Sequence, residues 1–238
     1  ARPLALLFKR VCRPIATPQT PGAFVFGYRL VALDSTKETV ADTEINADYF
    51  GRHRTRKGRS DSAFPQFQAM LLSECSSRVI FDAAITPFKA DHHYYFKRLL
   101  RSIRPDMLVM FDRGLVSFDG IHTICQSGAP FLAPARSDMK LTPHTILADG
   151  SYLADLRFWE NGVLHDEPRI TVRVIAYTLD DPQRNPDGQT FRLMTTLLDP
   201  DLYSAKVLVE IYHQRWEIEI SIDEIDTHQR LTWTPFRS

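Results

Sequence analysis

The chain has 238 residues, 44% of them hydrophobic, and it balances 29 Lys plus Arg against 29 Asp plus Glu. Such content supports a packed core and excludes disorder as the default. Zero formal net charge excludes a global polyelectrolyte surface, so any nucleic-acid binding must rest on local clusters. Cys12, Cys75 and Cys125 are widely spaced and form no CxxC pair, which excludes a disulfide framework and a zinc ribbon and points to a reducing cytosol.

Residues 1–22 read as an N-terminal tail and linker. The run LALLF is too short for a membrane span and has no signal-peptide layout, so a soluble protein with no membrane partner is expected. Three prolines and a glycine in PIATPQTPG break the chain before the core. The first part of that core is expected over 23–136. AFVFGYRLVAL reads as one long strand or two short ones, ending at Asp34. Ser35 to Pro65 is polar and reads as an excursion. It contains RHRTRKGR, where Arg52, Arg54, Arg56, Lys57 and Arg59 stand without an acid, either a solvated loop or a phosphate-binding one.

FQAMLLSE and RVIFDAAI flank Cys75-Ser76-Ser77 and predict a β-hairpin. DHHYYFKRLLR, from Asp91 to Arg101, has helical spacing and stops before Pro105; His92 and His93 at its start read as surface residues. MLVMF is a continuous apolar run of the kind buried on both faces of a central strand, and it leads into Asp112. SFDGIHTICQ predicts a short helix closed by Gly128, and APFLAPA a further strand.

Residues 137–200 read as a β-rich insertion, with turn signals at Asp149-Gly150, Asn161-Gly162 and Asp187-Gly188 around ITVRVIAYTL and QTFRLMTTLL. Residues 201–238 hold the C-terminal helix and its end, with Val207, Ile211, Ile218, Ile222 and Ile225 expected on the buried face. The lack of an initial Met and the stop soon after this helix fit a piece of a longer protein. The expected fold is α/β, a mixed sheet flanked by helices with a β-rich insertion before the last helix.

On that last helix Tyr212, Arg215 and Glu219 fall at i, i+3 and i+7, so an aromatic ring, a guanidinium and a carboxylate share one stripe. If the Asp34 and Asp112 strands are parallel neighbours, both carboxylates reach one sheet edge, and Glu219 completes a set of three. Three adjacent carboxylates repel unless cations lie between them, which implies two Mg²⁺ or Mn²⁺ ions and phosphoryl-transfer chemistry. Each residue alone has an ordinary structural account. Strand-end aspartates usually cap turns, Glu219 shares its helix with Glu217, Asp223, Glu224 and Asp226, and Tyr212 could be core. Their joint placement carries the functional reading. The GxSxG elbow, the Walker loop and the dinucleotide fingerprint are all missing. Trp159 and Trp216 read as core or interface, with Trp159 within the insertion.

VALDST, DTEINADYFG, AFPQ, DAAI, RPDMLVMFDRG, ILADGSYLADLR and YHQRWEIEISIDEIDTHQR together resemble the DDE transposases of bacterial insertion sequences, in the insertion-sequence-four group with its Tyr-Arg-Glu-Lys signature. The resemblance runs from about residue 28 to residue 233. It implies an RNase H-like core with Asp34, Asp112 and Glu219 as the metal-binding catalytic triad. It also implies that Tyr212 and Arg215 contact transposon-end DNA, with double-stranded DNA as partner and two subunits in a DNA synapse. The implied location is cytoplasmic, on the nucleoid of a bacterium. The position of the signature lysine is held by Asp226, a reversed charge. Two other readings fit the same residues: a simple metal-dependent nuclease of this fold, and an inactive remnant that only binds DNA.

Overall fold

The computed structural model describes residues 2–52, 62–87, 97–160, 163–179, 185 and 187–215. Helix α1 (Arg2–Val11) precedes β1 (Phe24–Val25) and β2 (Tyr28–Thr39), then come α2 (Glu44–Phe50), β3 (Gln66–Glu74) and β4 (Ile80–Pro87). After these come β5 (Met107–Phe111), α3 (Phe118–Gln126) and β6 (Phe131–Pro134). The later strands are β7 (Thr145–Ile146), β8 (Tyr152–Glu160), β9 (Val163–Thr178) and β10 (Thr190–Thr195), and α4 (Ala205–Gln214) closes the described chain.

One ten-stranded sheet runs in the order β4-β3-β2-β5-β6-β10-β9-β8-β7, with β1 paired to β2 outside that path. Among the described strands β2–β5 and β5–β6 are parallel and the other pairs are antiparallel. Central β5 owes its place to MLVMF, whose five residues are all fully buried. Each contributes roughly 1.5–3 kcal/mol of burial. Alternate residues feed two cores. Val31, Leu33, Val109, Phe111 and Phe131 pack under α3, while Leu30, Leu108, Met110 and Leu132 pack under α4 through Leu208, Ile211 and Tyr212. Ser117 caps α3 by accepting the Gly120 amide hydrogen at 3.1 Å, and beyond the helix Gly128 takes a φ of 78°.

Several expectations are revised. The first strand does not stop at Asp34 but continues to Thr39, in register with β3 as far as Thr39 opposite Gln66. Its polar half, Ser35 to Thr39, stays on the backbone ladder while its side chains are half-buried or exposed, so no apolar run is needed to hold it. The polar excursion also contains α2, started by Thr43, whose hydroxyl accepts the Asn46 amide hydrogen at 3.2 Å. The N-terminal tail begins as helix α1. The β-rich segment continues the main sheet, because β10 pairs with β6 from Thr195 opposite Leu132 to Leu193 opposite Pro134. The predicted helix at 91–101 is described only from residue 97, where it ends in a short 3-10 turn, Leu100–Ser102.

A buried arginine fixes the second half of the sheet to the last helix. Arg173 on β9 has no exposed surface. It donates from Nε to Ser151 Oγ at 2.8 Å and from Nη1 to the Tyr203 carbonyl at 2.6 Å, and it pairs with Asp149. Tyr203 lies just before α4, so this guanidinium ties the Asp149-Gly150 turn and β9 to the start of the helix that overlies β5.

Candidate active site at the end of β2 and β5

The parallel register ends with Leu33 opposite Phe111, which makes Asp34 and Asp112 the next pair in line. Leu30 and Ala32 precede Asp34 on its face of the sheet, and Leu108 and Met110 precede Asp112 on the same face. Asp112 keeps an extended backbone, φ −81° and ψ 174°, so the alternation carries through to it. Neighbouring strands lie about 4.8 Å apart, so both carboxylates belong to one small area beside α4.

Each aspartate is oriented by a local donor. Asp34 Oδ1 accepts the Ser35 amide hydrogen at 2.7 Å, and Asp112 Oδ1 accepts that of Leu115 at 3.0 Å, capping the short turn Arg113–Leu115. Gly114 sits against the Asp112 carboxylate. A Cβ there would meet Asp112 Oδ2 at 3.3 Å and Oδ1 at 3.5 Å. Arg113, beside them, is exposed.

Helix α4 supplies the opposite wall. Tyr212 is 9% exposed and its hydroxyl lies 3.5 Å from the Phe111 carbonyl oxygen, at the last residue of β5. Arg215 is 3% exposed; its Nη1 lies 3.8 Å from Asp34 Oδ2 and its guanidinium carbon 5.6 Å from the Tyr212 ring centroid. The ring and the cation thus support each other over the end of β5. Behind them, burial pushes the Cys75 thiol far up, against the pull of the nearby Arg215 charge. Tyr177 touches His213 edge-on, and burial together with Tyr212 pushes its hydroxyl up to about 12.

Four residues singled out from the sequence therefore meet: Asp34, Asp112, Tyr212 and Arg215. The buried stripe of α4 is Leu208, Ile211, Tyr212 and Arg215, with Val207 half-buried at its side. Tyr212 and Arg215 were expected to face DNA, yet both are buried and turned toward Asp34 and β5. Glu219, Asp226, Arg54, Arg56 and Lys57, like His92, His93 and Trp216, lie outside the described residues. Among the described residues no three His, Cys, Asp or Glu side chains gather, so the expected carboxylate set needs Glu219. Two residues of the site were not singled out in the sequence. Gly114 had a signal, a glycine two positions after an acid at a strand end; Cys75 had none.

Asp34 and Asp112 offer hard carboxylate oxygens from adjacent strands, the donor chemistry that suits Mg²⁺ or Mn²⁺. The residues present fit such an ion. A separate cleft of about 1240 Å³, lined by Phe118, Arg136, His144, Asp155 and Arg169 among others, includes none of the four site residues in its lining. No described helix is long and apolar enough to cross a membrane.

A family model described as Transposase DDE domain matches residues 25–238. The chain is 24% identical over 221 residues to Transposase InsG for insertion sequence element IS4 of Escherichia coli (strain K12), covering 89% of this chain and 47% of that protein. It thus spans about half the length of the curated relative it matches. Its fold resembles the chain in a cryo-EM structure of the piggyBac transposase synaptic complex with hairpin DNA. That match has a TM-score of 0.53 at 13% identity and covers 94% of this chain and 44% of that one. With its RNase H-like sheet and a match reaching from β1 to its last residue, the chain belongs to the DDE transposase family.

Proposed function

We propose that this chain is the catalytic core of a DNA transposase that cleaves transposon-end phosphodiesters and transfers the strand to target DNA. The observation that carries the reading is the register of β2 and β5, which sets Asp34 and Asp112 side by side at the end of the parallel strands, under α4. Glu219, four residues beyond Arg215 and one helical turn on if α4 continues, is the proposed third carboxylate. Bound between these carboxylates, two Mg²⁺ or Mn²⁺ ions would activate the attacking oxygen and stabilise the leaving one.

The remaining work falls to the protein. Ser35 and Leu115 amides fix the two aspartates, and Gly114 leaves room for the second. Arg215, too buried to meet a phosphate head-on, is assigned to holding Asp34 in place, with Tyr212 wedged between it and β5. Phosphate contact is assigned to Arg113, exposed at the strand end, and to Arg54, Arg56 and Lys57 of the basic segment. Double-stranded DNA is the proposed partner, with two subunits in the synapse.

The test is nicking of a DNA duplex with Mg²⁺ or Mn²⁺ by the chain and by Glu219→Ala, Asp112→Asn and Asp226→Lys. Cleavage that is lost in the first two variants supports the reading. A parent that is silent until Asp226→Lys restores cleavage identifies a complete site disabled by one reversed charge. Cleavage unaffected by Glu219→Ala and Asp112→Asn, or none from any protein, overturns it.

A further inference from the structure

Three side chains of β9 face α4: Arg173, Ile175 and Tyr177. Val172 and Val174, between them, belong to the core on the other side of the sheet. Ile175 and Tyr177 join the apolar packing under the helix, a role that does not suit Arg173. A guanidinium with no exposed surface has given up its water, and a well-packed apolar residue in such a place is often neutral or better for stability. Its bonds to Ser151 Oγ and Asp149 stay with the turn that leads into β8. The bond from Nη1 to the Tyr203 carbonyl, at 2.6 Å, crosses to another element.

Tyr203 stands at the foot of α4, two residues before Ala205. The start of β2 grips it as well. Its ring meets Phe26 edge-on at 5.4 Å and lies 6.4 Å from the Tyr28 ring, and its hydroxyl pushes that of Tyr28 up. The same two strands hold the other end of the helix. Arg215 lies 3.8 Å from Asp34 of β2, and His213 meets Tyr177 of β9 edge-on, with ring centroids 5.6 Å apart.

The lengths agree. Tyr203 to Arg215 spans about 18 Å at 1.5 Å per helical residue, and Tyr28 to Asp34 about 20 Å at 3.3 Å per strand residue. Helix α4 is therefore a rod laid along β2, with its foot at Arg173 and its tip at Asp34. A hydrogen-bonded rod does not absorb a shift at its foot but passes it on to Arg215.

We propose that Arg173 is a positioning residue of the active site: by holding the Tyr203 carbonyl it sets how far α4 reaches along β2, and so where Tyr212 and Arg215 stand against β5 and Asp34. Through this contact the β-rich segment takes part in the reaction. The proposal rests on the reading of Asp34 and Asp112 as metal-binding acids.

Nicking by the parent, Asp112→Asn, Arg173→Met, Arg173→Lys, Arg215→Lys and the double variant Arg173→Met with Arg215→Lys tests it, well below every melting midpoint and with DNA affinity measured separately. Glu74→Gln serves as a control for lost stability. Arg173→Met should lower the maximal rate by about 10²-fold, the scale of an ångström of misplacement, with DNA affinity unchanged. Arg173→Lys keeps the charge beside Asp149 but loses the planar fork that reaches Ser151 and Tyr203 together, so it should fall between Arg173→Met and the parent, and it carries the test if Arg173→Met does not fold. Because both arginines act on one contact, the double variant should be little slower than Arg215→Lys alone. A second readout needs neither metal nor DNA. The His213 ring lies beside the Tyr177 and Tyr212 rings, so its proton resonances, assigned with His213→Gln, should move in the Arg173 variants and stay in Glu74→Gln. Arg173 variants that nick at the parent's maximal rate, rate losses that multiply in the double variant, or unmoved His213 resonances each overturn the positioning role. A parent that does not nick, or an Asp112→Asn variant that does, overturns the reading of the acids and this proposal with it.

Discussion

Glu74 and Asp82, near the β3–β4 edge, differ from Asp34 and Asp112, at the end of β2 and β5, in how their charge is answered. Glu74 has no exposed side-chain surface and accepts from the Ile15 and Ala16 amides, Ser77 and Arg29. Asp82 accepts from Arg101 Nε at 3.0 Å and Nη2 at 2.8 Å, from Ser102 at 2.6 Å and from the Ala83 amide at 2.9 Å. Burial pushes both carboxyls up, but these donors outweigh it and hold both below the ordinary carboxylate range. Asp34 keeps 14% of its side chain exposed and faces a guanidinium at 3.8 Å, beyond hydrogen-bond distance, while Asp112 is half-buried and accepts the Leu115 amide hydrogen. The first pair spends its charge on the fold. Asp112, capped by one amide and half-buried, is held in place at the end of its strand, where the proposed ligand would meet it.

The largest contrast is between activity and stability. Asp112→Asn keeps the shape of the side chain and an oxygen for the Leu115 amide, so its thermal midpoint should stay near that of the parent while metal-dependent nicking falls by about 10³-fold or more, the scale of several kcal/mol of lost charge stabilisation. Glu74→Ala should do the reverse. It strands Arg29 and two amides near the base of β3, and urea unfolding should show a loss of about 3–5 kcal/mol. A large stability loss in Asp112→Asn, or none in Glu74→Ala, would break the distinction.

Acid sharpens the same contrast. The folded pKa values of Glu74 and Asp82 lie below their unfolded ones, so the stability they contribute is complete above the ordinary values of 4.5 and 3.8 and is lost as pH falls through the lowered folded values. Unfolding free energy followed downward from pH 6 should therefore fall below about pH 4.5 in the parent. The Glu74→Gln variant, weaker throughout, should show a shallower fall. Parallel acid limbs for the two proteins would remove Glu74 from this account.

The sequence made the centre of this molecule legible because its signals there are local. MLVMF reads as a doubly buried strand, and the i, i+3 spacing of Tyr212 and Arg215 puts both on one stripe of the helix, though that stripe was expected at DNA and lies against β5 instead. What stayed hidden depends on distant partners or on backbone alone. The polar half of β2 carries no apolar pattern, since its ladder to β3 is made by peptide groups. The stripe of Leu4, Leu7 and Val11 marked α1 as amphipathic, but it packs little against the rest of the chain, and its sequence was read as a tail. Arg173 looks like any polar residue in ITVRVIAYTL; its burial follows only once Asp149, Ser151 and Tyr203 are brought around it. The joining of β10 to β6, across more than fifty residues, likewise has no local mark.

A fine adjustment at the active end comes from Gly114. Its φ lies outside the positive range that favours glycine, so the backbone accepts alanine, and what the substitution changes is the space beside Asp112. A Cβ at 3.3 Å from Oδ2 is a few tenths of an ångström too close, and the carboxylate, held by Leu115 through its other oxygen, must turn or shift to relieve it. The expected cost is small, about 0.5–1.5 kcal/mol if the relief is an off-rotamer side chain. If Asp112 is the metal-binding acid proposed above, the substitution should reduce nicking several-fold and raise the Mn²⁺ concentration needed for half-maximal rate, with little change in melting temperature. Gly114→Ser should behave alike, because its Cβ stands in the same place. If both variants nick like the parent, Asp112 has more freedom than its cap and its glycine neighbour imply, and its contrast with the fixed acids of the β3–β4 edge would rest on exposure alone.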